Sequence, residues 1–268
     1  MKINKIAPLL TVTVLVIATL ACNLGAGKAP ANETPAQEDT SSSGTTATEA
    51  PAVGNDGSSG ACDNPLLPIK AGASWTYKIT GPVPDTFTRA ILAVNADGFT
   101  DKDSFGSGVT RESQWKCENG NLIALNPDNG TSSSINAEGV SLDFQTVELT
   151  GVTLPAVMNP GDSWSQFISL AGTETINDQV IPATNQTTTS CTAVGVESVT
   201  VEAGTFDAMR FDCQTVINIL ITMNGSDIPA TLNLNSSNWH AENIGLIKTV
   251  STGDAYDSTV ELISYSIP

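Results

Sequence analysis

Few residues in this chain offer a starting point for chemistry. His240 is its only histidine, so a Ser/His/Asp arrangement has to be built around that one residue. It stands beside Trp239 in a stretch that reads as a strand, and the expectation is a half-exposed strand histidine. No Gly-x-Ser-x-Gly elbow and no phosphate-cradling glycine loop occurs. One histidine and four cysteines expected to be oxidised leave too few ligands for zinc. The segment DKDSFGSGVTRE sets Asp101, Asp103, Gly106 and Glu112 at positions 1, 3, 6 and 12 of a calcium-loop pattern. Phe105 occupies position 5, however, and no flanking helices are predicted, so these acids are expected in a solvated loop between strands. The sequence calls for no metal and no cofactor, and it singles out no catalytic residue.

Cys22 is different. Lys2 and Lys5 precede sixteen uncharged residues, Ile6 to Ala21, which have the layout of an export signal. The run includes Pro8 and falls short of the roughly 20 residues a spanning helix needs. The sequence TLAC at residues 19–22 resembles the bacterial lipobox, with Thr19 and Leu20 departing from the commonest choices in its first two positions. The resemblance implies a diacylglyceryl cysteine at Cys22, further acylated (palmitate-type chains) and left as the mature N-terminus. Several acyl chains on one residue anchor stably, whereas a single chain is marginal at about 0.8 kcal/mol per buried CH₂. Removing Cys22 from five cysteines leaves an even four, Cys62, Cys117, Cys191 and Cys213.

Three regions follow. Residues 1–21 are the signal peptide. Residues 22–61 carry the lipidated cysteine and then a segment without aromatics, rich in Ser, Thr, Ala, Gly and Pro. Such a composition buries too little apolar surface to offset its ordering entropy, and reads as a flexible tether. Residues 62–268 are long enough for one well-buried domain. Their periodicity is mostly of two, as in SWTYKI around Trp75, Tyr77 and Ile79, and no helical stripe appears. The expected fold is all-β and antiparallel, either a sandwich or a large curved, half-barrel-like sheet. AGASWTYKI and PGDSWSQFI, both with Gly three residues before Trp, form a faint internal echo.

Two hairpins have a mechanism. Asn119-Gly120 tolerates the positive φ angles of a tight turn, and Ala203-Gly204 separates a Val-rich strand from one bearing Phe206, Met209 and Phe211. Cys191 and Cys213 flank the second turn at nearly equal distances, so antiparallel return brings them close, with a bulge or longer turn adjusting the register. Of the three possible pairings this favours Cys191–Cys213, leaving Cys62–Cys117 to pin the first residues of the domain to the Asn119-Gly120 hairpin. Both bridges suit an oxidising compartment.

TVEAGTFDAMRF, WHAENIGLIKTV, and the elements Gly72-x-x-Trp75-x-Tyr77, Val201 to Phe206 and Gly245 to Lys248 resemble a pattern of uncharacterised exported bacterial β-domains, the TapB-like proteins. That resemblance spans most of residues 65 to 252. It implies a β-sheet domain in the envelope and brings no activity with it.

The domain holds eight basic residues against 23 acidic ones, a net of −15, which argues against nucleic acid as a partner. The leading reading is a membrane-anchored envelope lipoprotein whose domain binds or scaffolds without catalysis, its partner an envelope protein or an apolar ligand. A carrier holding a lipid or other apolar molecule on a concave sheet is the alternative, and a glycan-acting enzyme using paired carboxylates the third. Trp239, with His240 and Glu242 beside it, is the candidate contact surface. For the anchor, mass spectrometry of the mature N-terminus is expected to find acylated Cys22, and Cys22→Ala is expected to release the protein from the membrane or leave the signal uncleaved. An unmodified Cys22 or an intact residue 1 would contradict this.

Overall fold

The computed structural model describes residues 60–126, 134–137, 140–176, 179–223, 226–254 and 257–268. Cys22, the signal and the tether to residue 59 lie outside the described residues. The described chain is all-β apart from one short 3-10 turn, Gly60–Cys62. Its strands are β1 (Ser74–Thr80), β2 (Asp85–Val94), β3 (Gly98–Phe105), β4 (Thr110–Glu118), β5 (Asn121–Ala124), β6 (Ser134–Ala137), β7 (Val140–Gly151), β8 (Ser163–Ile176), β9 (Gln179–Val201), β10 (Gly204–Met223), β11 (Ser226–Ala241), β12 (Gly245–Gly253) and β13 (Ser258–Ser266).

They form one sheet in the order β3-β2-β1-β13-β12-β11-β10-β9-β8-β7-β6-β4-β5, every adjacent pair antiparallel, and β3 also pairs with β4. The sheet therefore curls back on itself and nearly closes, with β5 added beside β6 on β4. This is the large curved sheet of the two expected architectures. This near-closure gives most of the backbone N–H and C=O groups of the strands a partner on both sides and leaves few of the exposed edges that invite aggregation.

Alternation decides which side chains line the inside. Along β9, Ile181, Ala183, Asn185 and Thr187 are buried while the residues between them are exposed. Two apolar clusters result. One gathers Trp75, Tyr77, Phe99, Trp115, Leu122, Ile247 and Leu262 with the residues around the first bridge. The other, on the long strands β7 to β11, joins Phe144, Ile168, Leu170, Ile181, Ile217, Ile219 and Ile221. Two polar tips of the first cluster are satisfied: Trp75 Nε1 donates to the Ile244 carbonyl at 2.6 Å and Tyr77 Oη to the Leu246 carbonyl at 3.2 Å.

Asn119 and Gly120 have φ of 52° and 82° and connect β4 to β5. The second hairpin turns on Glu202 and Ala203, and Gly204 is the first paired residue of the return, opposite Val201. Cys62 bonds Cys117 and Cys191 bonds Cys213. Cys191 and Cys213 are direct cross-strand partners, and the register adjustment falls between Arg210 and Phe211, next to Gly195 with φ 149°. The first bridge ties residues 60–64 onto the hairpin, where Gly120 N–H donates to the Ala61 carbonyl and Asn64 Nδ2 to the Gly120 carbonyl, both at 2.8 Å. The echo is structural as well. Gly72 and Gly161 have φ of 82° and 93° in the turns before β1 and β8, and Trp164 Nε1, like that of Trp75, donates to a backbone carbonyl, here of Thr153.

The Cys62–Cys117 loop spans 55 residues and the Cys191–Cys213 loop 22. Chain entropy assigns them about 4 and about 3 kcal/mol respectively. Urea unfolding of the Cys62→Ala/Cys117→Ala and Cys191→Ala/Cys213→Ala variants is expected to show both losses, the first at least as large as the second. An unchanged midpoint in either would contradict it.

Candidate functional site

The acidic motif of DKDSFGSGVTRE is neither a calcium loop nor a solvated turn. Asp101 and Asp103 lie in β3 and are 3% and 2% exposed. Gly106 follows β3, and Glu112, in β4, reaches Lys102 at 3.2 Å. The correction has a clear cause. Cross-strand register sets Arg89 of β2 and Arg111 of β4 on either side of Asp103. Arg89 donates to both Asp103 oxygens at 2.8 and 3.1 Å, Arg111 donates through Nε at 3.0 Å and also through a terminal nitrogen, and Arg89 lies 3.6 Å from Asp101. Burial alone would push the Asp103 carboxyl up, but the two guanidinium charges and their hydrogen bonds outweigh it and hold it well below the usual carboxylate range. Among the described residues, no group of three or more His, Cys, Asp or Glu side chains gathers to hold a metal.

Alternation separates the expected contact residues. His240 points inward, its Nδ1 3.0 Å from the Leu66 carbonyl and its ring 5.3 Å from that of Phe211. Trp239 is on the opposite face, half-buried, with Arg210 5.4 Å from its ring centre and its Nε1 donating to Glu197 at 2.8 Å. Glu242 is exposed in the turn between β11 and β12. The three do not form one patch.

Among the described residues, two concave features bear on function. The first is a cavity of about 130 Å³ inside the barrel, lined by residues of both apolar regions and by a polar belt that includes Gln166, Thr189, Thr215 and Asn238, with Arg89 and His240 at its wall. Trp115 lines it too, and its Nε1 is buried without a hydrogen-bond partner. Deeper among the long strands, Glu174 is 5% exposed and burial pushes its carboxyl up.

The second is an open groove of about 800 Å³ across β8 to β12. Register builds it. Ser163, Thr192, Asp212, Ser237 and Val250 are successive cross-strand partners, and so are Ser165, Ser190, Gln214, Asn235 and Thr252. The two rows lie two residues apart along every strand, hence on one face. Ser163 and Thr192 hydroxyls meet at 2.9 Å, and Asp212 accepts from Arg210 at 3.0 and 3.1 Å. Burial works against the Asp212 charge, but those bonds and one from Ser237 bring its carboxyl below the ordinary range. The next partners on that face are Arg210, Trp239 and Lys248 on one side and Phe167, Thr188, Val216 and Asn233 on the other. Trp239 therefore borders the groove. The rows were beyond sequence reasoning because they exist only in the register of five strands.

The molecule is thus a nearly closed antiparallel barrel-like sheet with a clamped interior and a polar outer groove. The chain belongs to the DUF3108-like family, whose model matches residues 99–267. Similar solved structures include an inferred lipoprotein from Parabacteroides distasonis (TM-score 0.48, 16% identity, covering 76% of this chain and 99% of that one). They also include an inferred exported protein with YmcC-like fold from Bacteroides fragilis (0.45, 14%, 75% and 98%) and the hypothetical lipoprotein YmcC from Escherichia coli (0.34, 11%, 76% and 87%). No curated protein matches the chain significantly.

Asp103→Asn removes the charge between two buried arginines and is expected to cost about 3–5 kcal/mol. Because the folded-state Asp103 carboxyl is held low, its contribution is complete above the normal carboxylate range and is lost only as pH falls far below it. Urea melts between pH 7 and pH 2 are expected to show the wild-type advantage over Asp103→Asn shrinking only toward the acid end. An equal difference throughout would contradict the clamp.

Proposed function

We propose that this protein is an envelope lipoprotein, anchored to a bacterial membrane through acylated Cys22, whose barrel on its tether is a non-catalytic binding domain with the groove across β8 to β12 as its binding face. The observation that carries this is the pair of polar cross-strand rows, which give a concavity of about 800 Å³, within the size range of ligand sites. The side chains best suited to chemistry are otherwise engaged. Asp101 and Asp103 face arginines and His240 contacts a backbone carbonyl, which argues against the glycan-acting enzyme. The narrower TapB-like kinship read from the short motifs belongs to this proposal too.

The carrier reading is favoured by one observation, the unpartnered Trp115 Nε1 on the inner cavity. At about 130 Å³, that cavity compares with an engineered void of roughly 150 Å³ that binds benzene. It suits a single-ring molecule and is too small for a lipid.

Hydrogen exchange of the full lipidated protein, with and without soluble envelope extract, separates the readings. Protection concentrated in the middle of β8 to β12 is the expected result. Protection confined to β1 and β4 around Trp115 would favour the carrier, and no change anywhere would contradict binding.

A further inference from the structure

We infer that the groove binds a linear, uncharged, polyhydroxylated chain, a neutral oligosaccharide lying across the strands with its length along the row Ser165, Ser190, Gln214, Asn235 and Thr252. The inference rests on the groove being the binding face, and it names the ligand class.

Consider first what that row offers. Its five members are exposed, all carry hydroxyl or amide groups, and none is charged. Hydroxyls and amides both donate and accept, as a sugar hydroxyl does, so either partner adapts to the other. Among the described residues, none of the five side chains hydrogen bonds to the protein, whereas the neighbouring row is partly engaged through Ser163 with Thr192 and Arg210 with Asp212. The free row crosses five strands, about 19 Å at roughly 4.8 Å per strand. One strand spacing is close to the repeat of an extended hexose chain. Phe167, two residues from Ser165 on the same face, offers a ring of the kind that packs against the apolar face of a pyranose.

Other ligand classes fit less well. The protein carries a net charge of −17, and the cations bordering the groove are paired, Arg210 with Asp212 and Glu197 and Lys248 with Glu261, so an anionic polymer meets repulsion. An extended peptide adds to a sheet through a free edge, but the row lies mid-sheet, its backbone already paired across β8 to β12. A lipid chain needs apolar walls, and Val250 is the only aliphatic side chain in the two rows.

Titration calorimetry of the full-length protein, in a detergent without a sugar headgroup, against hexasaccharides of glucose and of N-acetylglucosamine tests the assignment. Binding is expected for at least one of them, little affected by salt because the sugar carries no charge. Gln214→Ala with Asn235→Ala is expected to weaken it about tenfold, the scale of two lost hydrogen bonds. Ser190→Tyr, which fills the groove, is expected to abolish it, and Trp115→Phe in the interior to leave it unchanged. Thermal melts of each variant identify any loss that reflects unfolding. If the sugars do not bind while the groove is still protected by envelope extract in hydrogen exchange, the ligand class is wrong and the binding face stands. If neither sugar nor extract touches the groove, both fail. Sugar binding that the groove variants leave intact would also overturn the assignment.

Discussion

Everything this barrel presents, inside and out, depends on the register between β9 and β10. These are its two longest strands, paired over most of their length from the Val201–Gly204 turn to Ala183 and Ile221. Side chains alternate with a period of two, so a slip of one residue would turn Ile217, Ile219 and Ile221 outward and bury Gln214. The Cys191–Cys213 bond prevents that slip, since it joins residues directly opposite each other. The irregularity at Arg210 and Phe211, opposite Gly195, then absorbs the mismatch between the disulfide and the tight turn. Beyond the bulge the faces are reassigned, which is how Arg210 comes to stack on Trp239 outside while Phe211 meets His240 inside.

Closure of the ring imposes a second requirement. Where β2, β3 and β4 meet, the inside holds Arg89, Asp103 and Arg111 in cross-strand order. A buried ion cluster of this kind adds little net stability compared with apolar packing. It does make the pairing specific, because a shifted register would leave an uncompensated charge in the interior. Along β11 the backbone partner β12 begins only at Leu234, and the uncovered part carries Pro229, a residue that blunts a strand edge by removing a donor. Asn233 and Asp254 close the junction, with the Asn233 N–H and Nδ2 both donating to Asp254 at 2.9 Å.

How much of this is readable from the residues alone follows from range. Features set by neighbours in the chain are legible: the Asn119-Gly120 turn, the nearly equal spacing of Cys191 and Cys213 from the second hairpin turn, and the period of two around Trp75 and Tyr77. Alternation also separates Trp239 from His240, though treating them as adjacent on one surface overlooks it. Features set by distant strands are not legible. Asp101 and Asp103 look like loop acids because the arginines that hold them sit on other strands, and the β1 to β13 pairing, which joins the two ends of the domain, leaves no local signature. The groove is the extreme case. Ser165, Ser190, Gln214, Asn235 and Thr252 are unremarkable strand residues one by one, and become a line only when four registers are known together.

The same reasoning says where a ligand must lie if the barrel is a binding domain. The interior is largely filled, and the clamp and the His240 contact engage several of its polar groups, while the Trp115 indole has no partner. The outer row is open, uncharged and continuous. A crystal structure of the protein with a bound neutral oligosaccharide tests this most directly. The predicted result is a sugar chain crossing β8 to β12 with its hydroxyls on Gln214 and Asn235. A sugar bound elsewhere on the barrel, or a ligand enclosed beside Trp115 with the groove empty, would contradict it.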